Sequence, residues 1–221
     1  MDQAWEAVER SWCRYDPLPL PIQNQMPDVW KLLSSLGDSR WLLPMIAILL
    51  ISLPRSAFKW RALTAIAFTA ALTLASKLAY MGWGLGMASI DFTGFSGHAA
   101  MSSAIYPVAG ALLAGTTRPA RTAGFAAGAI LALLIGSSRI PLHAHSLSEV
   151  VAGLTLGLSA AAWSLRSSPL PARPHAWILA AALVAGLVLP TAAPQMQTHQ
   201  LVVELAKWLS GRTEVMQRHS S

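Results

Sequence analysis

The stretch from Thr122 to Leu165 reads TAGFAAGAILALLIGSSRIPLHAHSLSEVVAGLTLGLSAAAWSL. It holds two apolar segments, 122–137 and 148–165, on either side of a short polar connection with Ser138, Arg139, His143 and His145. A helix crossing the hydrocarbon of a bilayer needs about 20 residues, with some latitude. The second segment meets that length and the first is a little short. Further apolar segments lie at roughly 41–53, 62–83, 98–117 and 175–193. The expected fold is all-α, an integral membrane bundle of about six transmembrane helices. The segment at 41–53 is the shortest, and Asp38 and Arg40 block its extension upstream. It tilts, thins the bilayer locally, or continues a helix begun near Trp30 and broken at Gly37.

Composition supports a membrane protein. The chain has 221 residues, 54% hydrophobic and 12% charged, and a mean hydropathy of +0.47. An ordinary soluble domain carries roughly a quarter of charged residues, and a disordered chain has far less apolar side chain. The formal net charge is +6, which in a soluble protein would suggest nucleic acid. Here the cations gather between apolar segments. Arg55, Lys59 and Arg61 follow the first, Arg118 and Arg121 the third, Arg166 and Arg173 the fifth. Cytoplasmic connections carry such an excess, so the charge orients the chain in a membrane and calls for no nucleic acid partner. The connections 84–97 and 138–147, which carry Asp91, Arg139 and histidines, then lie outside. Trp41 and Trp83 fall near the outer ends of spans, and Trp60, Trp163 and Trp177 near the inner ends, as in an aromatic belt. The single cysteine, Cys13, allows no intramolecular disulfide and no cysteine-based metal cluster.

The chain divides into an N-terminal amphipathic and Pro-rich segment (1–40), a transmembrane domain (41–193) and a C-terminal amphipathic tail (194–221). Residues 1–20 include Asp2, Glu6, Glu9 and Asp16 and do not read as a signal peptide. Trp5, Val8 and Trp12 sit at helical spacing, and Pro17 to Pro27 reads as an extended linker. Leu201, Leu205, Trp208 and Leu209 mark a second amphipathic helix, lying in the interface or packed on the protein's own end. Gly124-x-x-x-Gly128 and Gly153-x-x-x-Gly157 place small residues on one helix face and read as packing.

Ionisable groups at a membrane boundary are costly and mark function by default. Three clusters face the outer side: Lys77 near the end of the second segment, Ser96-Gly97-His98 at the entry to the third, and Ser138, Arg139, His143, His145 and Glu149 between the fourth and fifth. Lys77 and Arg139 suit an anionic group. Ser96 and Gly97 precede a helix start, whose N–H groups and dipole favour an anion. His145 and Glu149 are four apart, on one helical face if the fifth helix begins early enough. A carboxylate behind an imidazole fixes its tautomer and improves it as nucleophile or base. His98 is a second imidazole, free to act as an acid. These are the parts of phosphoryl transfer through a covalent phosphohistidine.

In order and spacing these residues resemble the type 2 phosphatidic acid phosphatase superfamily, with its bacterial undecaprenyl-diphosphate phosphatases and vanadium haloperoxidases. That family carries Lys-x6-Arg-Pro, Pro-Ser-Gly-His and Ser-Arg-x5-His-x3-Asp. The third motif here is Ser138-Arg139-x5-His145-x3-Glu149, the second Phe95-Ser96-Gly97-His98, and the first only Lys77, with Gly84-Leu85 where Arg-Pro is expected. The resemblance implies a lipid phosphate phosphatase needing no metal or other cofactor. His145 would be the nucleophile, Glu149 its orienting carboxylate and His98 the acid. Lys77, Arg139 and the Ser96-Gly97 backbone would hold the phosphate, with Ser138 a lesser contact. The implied substrate is a lipid phosphate or diphosphate such as undecaprenyl diphosphate, phosphatidic acid or phosphatidylglycerol phosphate. Short loops and a compact bundle suit a bacterial inner membrane, with the site facing the periplasm.

Two rival readings use the same residues. His143, His145 and Glu149, with His98, would form a zinc site, but Lys77 and Arg139 would then add positive charge beside a cation. A transporter or degenerate relative binding anionic lipids would use the cations without requiring His145. His143 occupies a variable position of the third motif and reads as a loop residue.

Overall fold

The computed structural model describes residues 28–166 and 198–216, together with 175, 177, 178, 181, 182 and 184. The N-terminal helix expected around Trp5, the linker at Pro17 to Pro27, and most of the sixth segment lie outside the described residues. Among the described residues the chain forms seven α-helices and no strand: α1 (Asp28–Leu36), α2 (Ser39–Ser52), α3 (Ala57–Trp83), α4 (Gly97–Leu113), α5 (Arg118–Ser138), α6 (Leu147–Leu165) and α7 (Thr198–Ser210). By length and composition α3, α5 and α6 are each able to cross a membrane, and α1 with α2 makes a fourth crossing if the bent pair is one span.

Local chemistry sets the helix ends. Ser56 caps α3 by accepting from the Lys59 N–H at 3.2 Å, and Gly84 closes it at φ 70, where a side chain would be strained. Thr117 caps α5, with a proline at the start of the first turn. α5 therefore begins at Arg118, upstream of its apolar segment, and reaches 21 residues. The short first segment is explained by the break at Gly37: α1 and α2 meet there at 42°, and Asp38 accepts from the Arg40 N–H to restart the helix.

The centre of the bundle is α4, packed by α2, α3, α5 and α6. Ile105, Val108, Ala104 and Ala100 are at most 1% exposed. Lipid tails give helices no hydrophobic reason to associate, so close van der Waals packing must do it. The small residues supply it. A Cβ on Gly124 or Gly128 would run into the backbone of Gly110 or Tyr106 on α4, and one on Gly157 into Ala100 and Ser103. Both small-residue patterns thus press closely on α4. Leu42, Ile46 and Leu50 of α2, Phe58 of α3 and Ile105 of α4 complete the core, which Ile178 and Ala182 also join. The C-terminal helix α7 packs on the end of α3, its Ala206 buried and its Ser210 against Gly82, while Trp208 and Leu201 stay exposed.

The bundle has two chemically distinct ends. At one, Lys59 Nζ donates to the carbonyls of Ile51 and Leu53 at 3.2 and 3.1 Å, and Arg61 donates to the Arg166 carbonyl. At the other, α3 and α5 finish and α2, α4 and α6 begin.

Candidate active site

Three helix N-termini meet at this second end, but their capping differs. Asp38 caps α2. Ser146 and Glu149 form a reciprocal capping box on α6. No side chain caps α4, although Ser96 stands at its N-cap position. The amides of its first turn are left for another acceptor, with the positive end of the helix dipole behind them. The Ser96 Oγ is buried without a hydrogen-bond partner, as are Thr73 Oγ1 and Arg139 Nε. Buried polar atoms without partners are rare and call for an explanation. Three such atoms on residues at this end of the bundle fit a site built for a ligand rich in acceptors and able to receive protons from hydroxyls.

Lys77 and Gly97 mark that place. A Cβ built on Gly97 would lie 3.7 Å from Lys77 Nζ and 3.7 Å from Thr73 Cγ2. The ammonium therefore faces the open start of α4 from one turn beyond Thr73 on α3. Arg139, just past α5, gives one guanidinium nitrogen to Ser34 Oγ and keeps Nε unpartnered. Burial lowers its proton affinity and the Asp38 charge opposes that loss, so the guanidinium remains a cation. Gly84-Leu85 brings no second guanidinium to the site.

His145 and Glu149 do pair, though not along a helix face. α6 begins at Leu147, and His145 precedes its N-cap. The four-residue reach is made by the cap instead: Glu149 in the first turn folds back towards Ser146 and His145. Its Oε2 lies 2.6 Å from His145 Nδ1 and accepts from the Ser146 N–H at 3.3 Å. Its Oε1 accepts from the Thr93 N–H at 2.8 Å and from the Thr93 hydroxyl. Glu149 is 1% exposed, and a buried carboxylate is tolerable when it is so fully bonded. The Thr93 and Ser146 N–H groups can only donate, so the carboxylate accepts throughout and His145 donates from Nδ1. The tautomer follows: Nε2 carries the lone pair. Burial lowers the His145 pKa, and the Glu149 hydrogen bond opposes it. The ring is therefore neutral at neutral pH.

His98, in the first turn of α4, lies within electrostatic reach of Arg139, Asp38, Lys77 and His145. The three sequence clusters are thus brought together. Two candidates stand apart. Ser138 is fully buried and its hydroxyl donates to the Ile135 carbonyl at 2.6 Å, which leaves it no proton for a phosphate oxygen. His143 is exposed in a left-handed turn at φ 51. Among the described residues no three His, Cys, Asp or Glu side chains come together to hold a metal, so the His143-x-His145 zinc arrangement does not form.

Sequence reasoning missed Thr93, Thr73 and the Ser34–Asp38 turn. Nothing in their local pattern marks them, because each joins the site through a distant contact. The capping box was legible as Ser-x-x-Glu and would have predicted that Glu149 folds back.

No solved structure matches the chain. A protein of Klebsiella pneumoniae described as an uncharacterized 22.5 kDa protein in the cps region is 41% identical over 189 residues, covering 80% of this chain and 90% of the relative. The model of the PAP2 superfamily, a group that in general contains phosphatases, matches residues 58–171. That range holds every motif from Lys77 to Glu149, and the chain belongs to the PAP2 superfamily.

Proposed function

We propose that this membrane protein hydrolyses a lipid phosphate or diphosphate through a phosphohistidine on His145. The observation that carries the reading is the bonding of Glu149. With Nδ1 held 2.6 Å from Oε2, the Nε2 lone pair is the reactive one, at the end of the bundle where Lys77, Arg139 and the uncapped start of α4 converge. Nε2 attacks phosphorus while the bond to the lipid oxygen breaks. The departing oxygen takes the bonding pair and a proton from His98. Water then attacks phosphorus and gives its proton to the now neutral His98, while the phosphorus–nitrogen bond breaks, its electron pair returns to His145 Nε2, and inorganic phosphate leaves. Lys77, Arg139 and the α4 amides neutralise charge on the phosphoryl oxygens, worth most in a partly dry site. A chain that stays in lipid while its head group enters between helix ends suits a site at the edge of a bundle. Undecaprenyl diphosphate, phosphatidic acid and phosphatidylglycerol phosphate all present such a head group.

Phosphate release from these three lipids by the purified protein tests the reading. The His145→Gln variant should lose turnover by at least about a thousandfold, together with any acid-labile phosphoenzyme. Lipid binding should survive. Wild-type turnover in that variant would sink the phosphohistidine step and favour a binding protein on the same fold.

The basic end suits the cytoplasm of a bacterial inner membrane, and this supports a reading in which the site faces the periplasm. In a chain lacking Cys13, a cysteine beside Asp91 should react with an impermeant thiol reagent in intact cells, and one beside Arg118 should not. The opposite pattern would overturn this orientation.

A further inference from the structure

The face of α3 that carries Lys77 also carries Thr73, four residues and about one turn earlier. Two hydrogen bonds fix this turn against the entry to α4. The Ser76 hydroxyl donates to the Thr73 carbonyl at 2.8 Å, and its oxygen accepts from the Phe95 N–H at 3.1 Å. Next along the chain come Ser96, whose N–H goes to the Glu149 carbonyl at 3.2 Å, and Gly97, the first residue of α4. Gly97 has no Cβ, which lets α3 approach it closely. The place a Cβ would take lies 3.7 Å from Lys77 Nζ and 3.7 Å from Thr73 Cγ2. The ammonium and the threonine side chain therefore flank the uncapped start of α4 together.

Thr73 is 7% exposed, and its hydroxyl has no hydrogen-bond partner. A threonine inside a helix ordinarily turns its hydroxyl to the carbonyl four residues back. Thr64 and Thr69 of α3 and Thr155 of α6 do so at 2.8 Å, and Thr122 of α5 at 3.1 Å. Thr73 instead leaves the Thr69 carbonyl and keeps a donor buried near Lys77. A buried, unbonded hydroxyl costs stability, and a valine of the same shape would serve packing better. We propose that Thr73 is a phosphate-contacting residue, its hydroxyl donating to an oxygen of the phosphoryl group that Lys77 and the α4 amides hold. This rests on the reading of this end of the bundle as a phosphate site. The chemistry suits the place. A hydroxyl gives one proton to a charged oxygen, a strong type of hydrogen bond, without setting a third positive charge beside Lys77 and Arg139.

The test uses the full-length purified protein, inorganic phosphate as the bound probe and phosphatidic acid in mixed micelles as the substrate. Thr73→Val removes the hydroxyl and keeps the shape. In phosphate-free buffer it should melt at the wild-type temperature or above it. Its kcat/KM should fall by about tenfold, and inhibition by inorganic phosphate should weaken by a similar factor, the effect of losing one hydrogen bond to a charged group. Thr73→Ser keeps the hydroxyl and should stay within about threefold of wild type on both measures. Wild-type kcat/KM and phosphate inhibition in Thr73→Val would overturn the proposal. So would a melting temperature well below wild type without phosphate, because the hydroxyl would then be structural. Should the valine variant misfold, Thr73→Ala is compared with Thr73→Ser, and equal phosphate inhibition in the two would overturn the proposal. Failure of the wider reading looks different. A ligand that binds the folded state raises its melting temperature, so a wild-type protein that phosphate does not stabilise would lack the site, and the role of Thr73 would fall with it. If phosphate stabilises wild type more than Thr73→Val but no lipid is turned over, the contact stands and the hydrolytic reading fails.

Discussion

The two ends of the helix bundle carry cations in different states. At the end where α2, α4 and α6 finish, Arg55, Arg118 and Arg166 are exposed. Lys59 is bonded to the last carbonyls of α2, and Arg121 donates to the Gly115 carbonyl beyond α4 at 3.0 Å. Each is solvated or satisfies the negative end of a helix dipole, a routine arrangement. At the other end α2, α4 and α6 begin beside the finishing α3 and α5, and the uncapped start of α4 attracts anions. Lys77 and Arg139 sit there, partly buried, Lys77 facing the start of α4 and Arg139 with its Nε unpartnered. Two like charges gathered in a partly buried place repel each other, which costs stability unless an anion arrives. The difference suits a topological role for the first set and, on the proposed function, a ligand-binding role for the second.

Charge removal at the two ends should break that comparison if it is wrong. Arg139→Ala should lower kcat/KM for a lipid phosphate by about 10²–10³-fold, the usual effect of losing one preorganised donor to developing charge. Arg118→Ala should change it less than about twofold, because an exposed cation contributes little. Equal losses from both would mean that the cations act only through folding or insertion.

The Glu149 clamp gives a graded pair of tests. Glu149→Gln should slow turnover by about a hundredfold or more, since the tautomer and the imidazolium lose their support. The nucleophile must be neutral, so activity falls as pH drops through the His145 pKa. Burial lowers that pKa, which puts the acidic limb of kcat/KM below the reference value of about 6.5. Glu149→Gln removes the contribution opposing burial, and its limb should move further into acid. A limb that moved towards neutral would contradict the assignment. Thr93→Val should have the smallest effect. It removes one of two donors to Oε1 and should cost a few-fold in kcat and about 1–3 kcal/mol of stability in a thermal melt.

Much of this could be read along the chain. Helix positions followed from apolar length, and the site residues from ionisable groups that a membrane boundary does not tolerate without reason. Local reading failed where a contact was remote. Thr93 is an unremarkable loop threonine until α6 folds Glu149 against it, 56 positions away. Ser138 matched its motif yet is bonded to its own helix at Ile135, since a buried serine at a helix end finds a carbonyl three residues back. Gly124, Gly128, Gly153 and Gly157 read as packing, but only the fold showed that both pairs press on α4.

The sequence by itself therefore determined the solvent, the number and course of the helices near the site, and the chemical types gathered at one end. These depend on composition and on periodicity within a segment, which a single helix expresses alone. Tertiary structure decided which N-terminus stays uncapped, which nitrogen of His145 meets Glu149 and which backbone lies against His98. Those outcomes depend on distances between helices, and only packing around α4 sets them.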